Sequence, residues 1–133
     1  MSLVLVVDDN HDACRMLAAL IRYVNGDAAC VTSGKDALAY IDSHDVDLVI
    51  LDIMMPEMDG IQVLEQLRAK PETAKLPVVM FSAVNDPEFR RRAFERGANE
   101  FWLKASLDFR YLKDHLQRLL LPPPPQSSQE YQH

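Results

Sequence analysis

DLVILDIMMPEMDG, residues 47–60, is the stretch that decides the fold. Residues 48–51 form an unbroken apolar run of strand length, the pattern of a strand covered on both faces in a parallel sheet. Asp52 closes that run, and Pro56 breaks the loop behind it. Asp59-Gly60 then begins a helix whose Ile61, Leu64 and Leu67 face inward and which ends before Pro71. An acid alone at the tip of a buried strand stands at the edge where open parallel sheets bind ligands.

Working outward, the same pattern recurs. The apolar run 3–7 is followed by Asp8 and Asp9, the run 78–81 by Ser82, and the run 101–103 by Lys104. A weaker run at 28–32 reads as an edge strand. Between the runs lie amphipathic stretches. Cys14, Leu17, Ala18 and Ile21 mark one helical face, closed by Asn25-Gly26. Ser33-Gly34 opens a second helix, with Ala37, Leu38 and Ile41 inward. Asp86-Pro87-Glu88 supplies a cap, a first-turn proline and an acid to a fourth helix that Gly97 ends. Ser106 is expected to cap the last helix, where Phe109, Leu112, Leu116 and Leu119 repeat at helical spacing. Strand and helix alternating about every twenty residues predict an α/β fold, a doubly wound five-stranded parallel sheet with helices on both faces.

The length of 133 residues suits one domain, and such a domain buries about two-thirds of the surface its unfolded chain exposes. We place that domain at residues 1–121. Residues 122–133, opening on four prolines, read as a Pro/Gln/Ser-rich tail or a stiff linker. The net charge of −6 and pI near 5.1 argue against direct nucleic-acid binding, which needs clustered Lys and Arg. Arg90, Arg91 and Arg92 sit with Glu88 and Glu95 and read as a solvated helix face. Cys14 and Cys30 follow no metal spacing and read as buried, reduced thiols. No segment has the apolar length of a membrane span, and no basic leader precedes the first strand. A cytoplasmic protein with no membrane contact is the expectation.

The chemistry lies in Asp8, Asp9, Asp52, Ser82 and Lys104. Clustered carboxylates repel, each contact costing about 4 kcal/mol at 4 Å and an effective dielectric near 20. A cation relieves that repulsion, and oxygen-only ligands select a hard one such as Mg²⁺. Asp52 has a carboxylate able to attack phosphorus and form an acyl phosphate. Lys104 as a point charge and Ser82 as a hydroxyl donor suit two phosphoryl oxygens. His11 reads as an exposed residue opening the first helix, and Met54, Met55 and Met58 as a loop partly packed on the sheet.

With these residues in place, residues 3–121 resemble a receiver domain of a two-component response regulator. The matching text is VLVVDDN at 4–10, DLVILDIMMPEMDG at 47–60, LPVVMFSA at 76–83 and GANEFWLK at 97–104. The resemblance implies a flavodoxin-like strand order of 2-1-3-4-5. It implies that Asp52 is the phosphoacceptor, that Asp8, Asp9, Asp52 and the Met54 backbone carbonyl organise Mg²⁺, and that Ser82 and Lys104 contact the phosphoryl group. Phe101 falls at the family's switch aromatic, expected to turn inward as Ser82 moves toward phosphate. The implied partner is a sensor histidine kinase or histidine phosphotransfer protein. A switching face of helix four, strand five and helix five would pass the signal to an output domain or protein, or form a homodimer. Two other classes remain: a small phosphotransferase or phosphatase using an aspartyl phosphate, and a structural receiver that takes no phosphate. The family usually has a cis proline after the strand-five lysine. Ala105 stands there instead, and a non-proline cis bond costs roughly 2.5–4 kcal/mol, which leaves open a trans peptide and a differently shaped loop before helix five.

Overall fold

A computed structural model describes residues 2–106 and 108–120, without the side chains of Ser106 and Phe109. The tail at 122–133 and the inward placement of Phe109 lie outside the described residues. The strands are β1 (Leu3–Val7), β2 (Asp27–Val31), β3 (Leu48–Asp52), β4 (Val78–Ser82) and β5 (Glu100–Leu103). Between and after them run α1 (His11–Tyr23), α2 (Gly34–Ser43), α3 (Gly60–Ala69), α4 (Pro87–Glu95) and α5 (Phe109–Leu120). A short 3₁₀ turn, Lys104–Ser106, follows β5. All pairings are parallel, in the order β2-β1-β3-β4-β5 expected from the sequence.

Strand residues alternate between two cores, which is why the central runs are apolar throughout. Leu5, Val7, Val49, Leu51, Val78 and Met80 pack with Ala37, Ile41, Leu64 and Leu67 under α2 and α3, and with Ala93 of α4. Val4, Val6, Ile50, Val79 and Phe81 face Leu17, Ile21, Leu112 and Leu116 of α1 and α5. Strand β2 has one neighbour only, and its Asp27 and Cys30 are exposed. Cys30 is therefore not the buried thiol anticipated, because its strand lies at the sheet edge.

Helix starts follow the capping residues, with one correction. The Asn10 side chain accepts from the Asp12 and Ala13 N–H groups at 2.9 and 3.1 Å. Asp59 and Gln62 form a capping box at α3, and Asp86 accepts the Glu88 N–H with Pro87 in the first turn. At α5 the cap is Asp108, not Ser106: its Oδ1 accepts the Tyr111 N–H at 2.8 Å. Residues 104–106 are spent on the 3₁₀ turn, which moves the helix start two residues later. The left-handed residue after α1 is Asn25 (φ 69°), the first of the Asn25-Gly26 pair read as closing the helix. Gly26 is needed for space, since a Cβ there would lie 2.8 Å from Ile21 Cγ2. No cis peptide occurs among the described residues, so the Lys104–Ala105 bond is trans.

Candidate functional site

Because every strand of a parallel sheet ends at the same edge, the topology alone gathers the predicted residues. Val7 pairs with Leu51, Asp52 with Phe81 and Ser82 with Leu103, so Asp8, Asp52, Ser82 and Lys104 follow one another across that edge. One carboxylate oxygen from each of Asp8, Asp9 and Asp52 lies within 4.8 Å of the others. Asp8 is 1% exposed and Asp52 3%, whereas Asp9 is exposed. Lys104 Nζ donates to Asp8 Oδ2 at 2.7 Å and lies 3.5 Å from Asp52 Oδ2. Its ammonium also stands 5.4 Å from the Phe81 ring centroid, a cation–π contact that directs the stem across β4.

Backbone amides complete the cradle. The Asn10 N–H donates to Asp8 Oδ1 at 2.9 Å and the Met54 N–H to Asp52 Oδ1 at 3.2 Å. Burial, aided by the charge of Asp8, pushes the Asp52 pKa up to about 6, against the pull of Lys104 and the Met54 amide. Burial works against the Lys104 ammonium, but its hydrogen bond to Asp8 and the charges of both acids outweigh it and raise its pKa. Three carboxylates against one ammonium leave an excess of negative charge. Among the described residues Asp9 makes no ion pair. Hard oxygens with that excess fit a divalent cation such as Mg²⁺.

Two predicted residues sit differently from the four that converge. Ser82 is fully buried on the same edge, but its hydroxyl is engaged with its own loop, lying 3.0 Å from both the Val84 carbonyl oxygen and the Val84 nitrogen. Phe101 already lies inward, in the core under α3 and α4, with the Arg90 guanidinium 5.5 Å from its ring centroid. The inward ring therefore does not require Ser82 to have left Val84. Met54 and Val84 flank the site with exposed side chains, while Met55 is buried and Met58 half-buried. His11 is exposed, as read. Sequence reading missed Asn10, Phe81 and Arg90. Asn10 carried a readable signal, a cap residue directly after the acid pair, whereas the other two act through contacts between elements.

Fold and acidic edge together define a flavodoxin-like α/β signalling domain. The chain belongs to the response regulator receiver domain family, whose sequence model matches residues 4–117. It is 42% identical over 103 residues to the rice two-component response regulator ORR8, covering 76% of this chain and 84% of that protein. It is 36% identical over 117 residues to the transcriptional regulatory protein ZraR of Salmonella typhimurium, covering 88% of this chain but 26% of that one. A gliding motility regulatory protein of Myxococcus xanthus is matched over only 15% of its length. Among solved structures, the Vibrio cholerae chemotaxis protein CheY4 superposes with a TM-score of 0.83 at 26% identity, covering 90% of this chain and 99% of that one. The chain is thus a receiver domain of the two-component kind, a phosphorelay signalling unit. Among the described residues no helix is long and apolar enough to cross a membrane.

Proposed function

We propose that Asp52 accepts a phosphoryl group from the phosphohistidine of a sensor histidine kinase or histidine phosphotransfer protein. The observation that carries this is the meeting of three carboxylates within 4.8 Å, two of them buried and contacted by one lysine. Asp8, Asp9, Asp52 and the Met54 backbone carbonyl would hold Mg²⁺, which when bound offsets charge on the transferring oxygens. The Asp52 carboxylate is the nucleophile, displacing the histidine nitrogen from phosphorus. Burial strips Asp52 of water, and the Met54 N–H keeps one of its oxygens fixed. Lys104 exchanges its contact with Asp52 for a phosphoryl oxygen while keeping Asp8. Ser82 leaves Val84 to donate to another.

Residues 1–121 form the signalling unit, and residues 122–133 are a tail or linker. A cytoplasmic site goes with a kinase partner. The face made by α4, β5 and α5 is the surface read by an output domain or protein, or shared in a homodimer. The test is incubation with acetyl phosphate, with and without Mg²⁺, followed by intact mass. Wild type should gain one phosphoryl group only with the metal, and Asp52→Asn none. Wild type that stays unmodified under both conditions would leave a structural, phosphate-independent receiver. Turnover of a phosphate ester would instead indicate the phosphatase class.

A further inference from the structure

Cys14 and Cys30 have no part in the phosphoryl transfer proposed above, yet the fold places both beside Val6 on one face of the sheet. Cys30 of β2 pairs with Val6 of β1, and paired residues of adjacent strands project to the same face of a sheet. That face is the one α1 covers, where Cys14 shares a core with Val4, Val6 and Ala28. Cys14 lies one turn into α1 with its Sγ 3.6 Å from the carbonyl oxygen of Val6, the residue that pairs with Cys30 across the sheet, and the Cys30 side chain is near enough to act on the Cys14 thiol. Access to the two differs: Cys14 is buried and Cys30 exposed. Burial, and then Cys30 and Asp8, push the Cys14 thiol well up, so Cys14 stays protonated and is the poorer first target.

We propose that Cys14 and Cys30 are a reversible redox pair, in which a hydroperoxide oxidises Cys30 and Cys14 resolves the product into an intramolecular disulfide. The Cys30 thiolate attacks a peroxide oxygen, the O–O bond breaks, and a sulfenic acid forms with release of water or an alcohol. The Cys14 sulfur then attacks the Cys30 sulfur. The S–O bond breaks as the S–S bond forms, and the departing hydroxide leaves as water with the Cys14 proton. Two thiols are oxidised, one peroxide is reduced, and a small dithiol reverses the change. The bridge would staple α1 to the edge strand. It would hold the helix that starts directly behind Asp8 and Asp9, where the Cys14 N–H already bonds the Asn10 carbonyl at 3.2 Å.

The test treats the purified full-length protein with hydrogen peroxide, then alkylates remaining thiols in denaturant and reads intact and peptide masses without reductant. Cys14→Ser and Cys30→Ser run alongside. Monomeric wild type should lose two hydrogens and both alkylation sites, with the two cysteine peptides joined until dithiothreitol is added. Cys14→Ser should carry Cys30 on to the sulfinic acid or an intermolecular dimer, and Cys30→Ser should leave Cys14 reduced. Wild type in which Cys30 reaches the sulfinic acid while Cys14 still alkylates would overturn the proposal. So would a disulfide found only between chains, or two thiols that both stay reduced.

Discussion

At Asp52, burial and the charge of Asp8 favour the protonated acid while Lys104 and one amide favour the carboxylate. With its pKa lifted from 3.8 to about 6, the native state holds a proton there more tightly than the unfolded chain does. The resulting stabilisation is complete below about pH 4 and is lost as the pH rises through about 6. In EDTA, the stability difference between wild type and Asp52→Asn should therefore shift against wild type across that window, read by urea unfolding at a series of pH values. A flat difference would mean that Lys104 neutralises Asp52 fully. Asp9 is the exposed member of the cluster and the one without an ion pair among the described residues, so Asp9→Asn should weaken Mg²⁺ about tenfold or more, ~1.4 kcal/mol. Isothermal titration would check it, and an unchanged affinity would remove Asp9 from the ligand set. Met54 and Val84 set a third expectation. They are 51% and 40% exposed beside Asp52, and neither side chain could orient a water to hydrolyse an acyl phosphate formed there. A long-lived phosphate should result, and Met54→Asn or Val84→Glu should shorten its lifetime by up to about 10². Decay after donor removal is the readout, with no acceleration in either variant as the contrary result.

Among the elements, the loop between β3 and α3 is tightly constrained, because α3 must start against the end of β3. Gly60 makes that possible. A Cβ there would lie 2.3 Å from the Asp52 carbonyl oxygen and 2.9 Å from the Ile53 Cα, both backbone atoms that cannot step aside alone. Gly60→Ala should cost about 2–3 kcal/mol in chemical denaturation and disturb Asp52 with it; a neutral result would mean the loop is looser than drawn. The elements were legible where one local signal sufficed. Five apolar runs gave five strands, and Asp59, Asp86 and Ser33 capped the helices they were read to cap. The misreadings share a physical cause, since Ser106 and Asp108 are both good caps and only the 3₁₀ turn decides between them. Cys30 looked buried by composition, and its exposure comes from the strand's place at the edge of the sheet. The acids and Lys104 could be read because strand ends fix them. The Ser82 hydroxyl and the Arg90–Phe101 contact could not, since rotamers and partners across elements leave no local pattern.

The whole molecule is a two-sided core whose upper edge carries the chemistry, so a change at that edge can reach the helices through the strands they cover. Phe101 and Arg90 join β5 to α4 on one side, and Trp102 meets Phe81 and His115 on the other. Only the fold brings together the acids that follow β1 and end β3, so Mg²⁺ held by them should raise the melting temperature by mass action. That rise should be lost in Asp9→Asn. A phosphoryl group that pulls Ser82 from Val84 would bias the β4–α4 connection, and α4 is lightly anchored, with Ala93 its only fully buried residue among those described. Everything at this scale depends on where the phosphoryl group sits. The most direct measurement is therefore borohydride reduction of protein treated with acetyl phosphate and Mg²⁺, followed by peptide mass mapping. Reduction turns an aspartyl phosphate into homoserine and so marks the acceptor. Homoserine at position 52 alone is the predicted result, and labelling at Asp8, Asp9 or any other acid, or none at all, would contradict it.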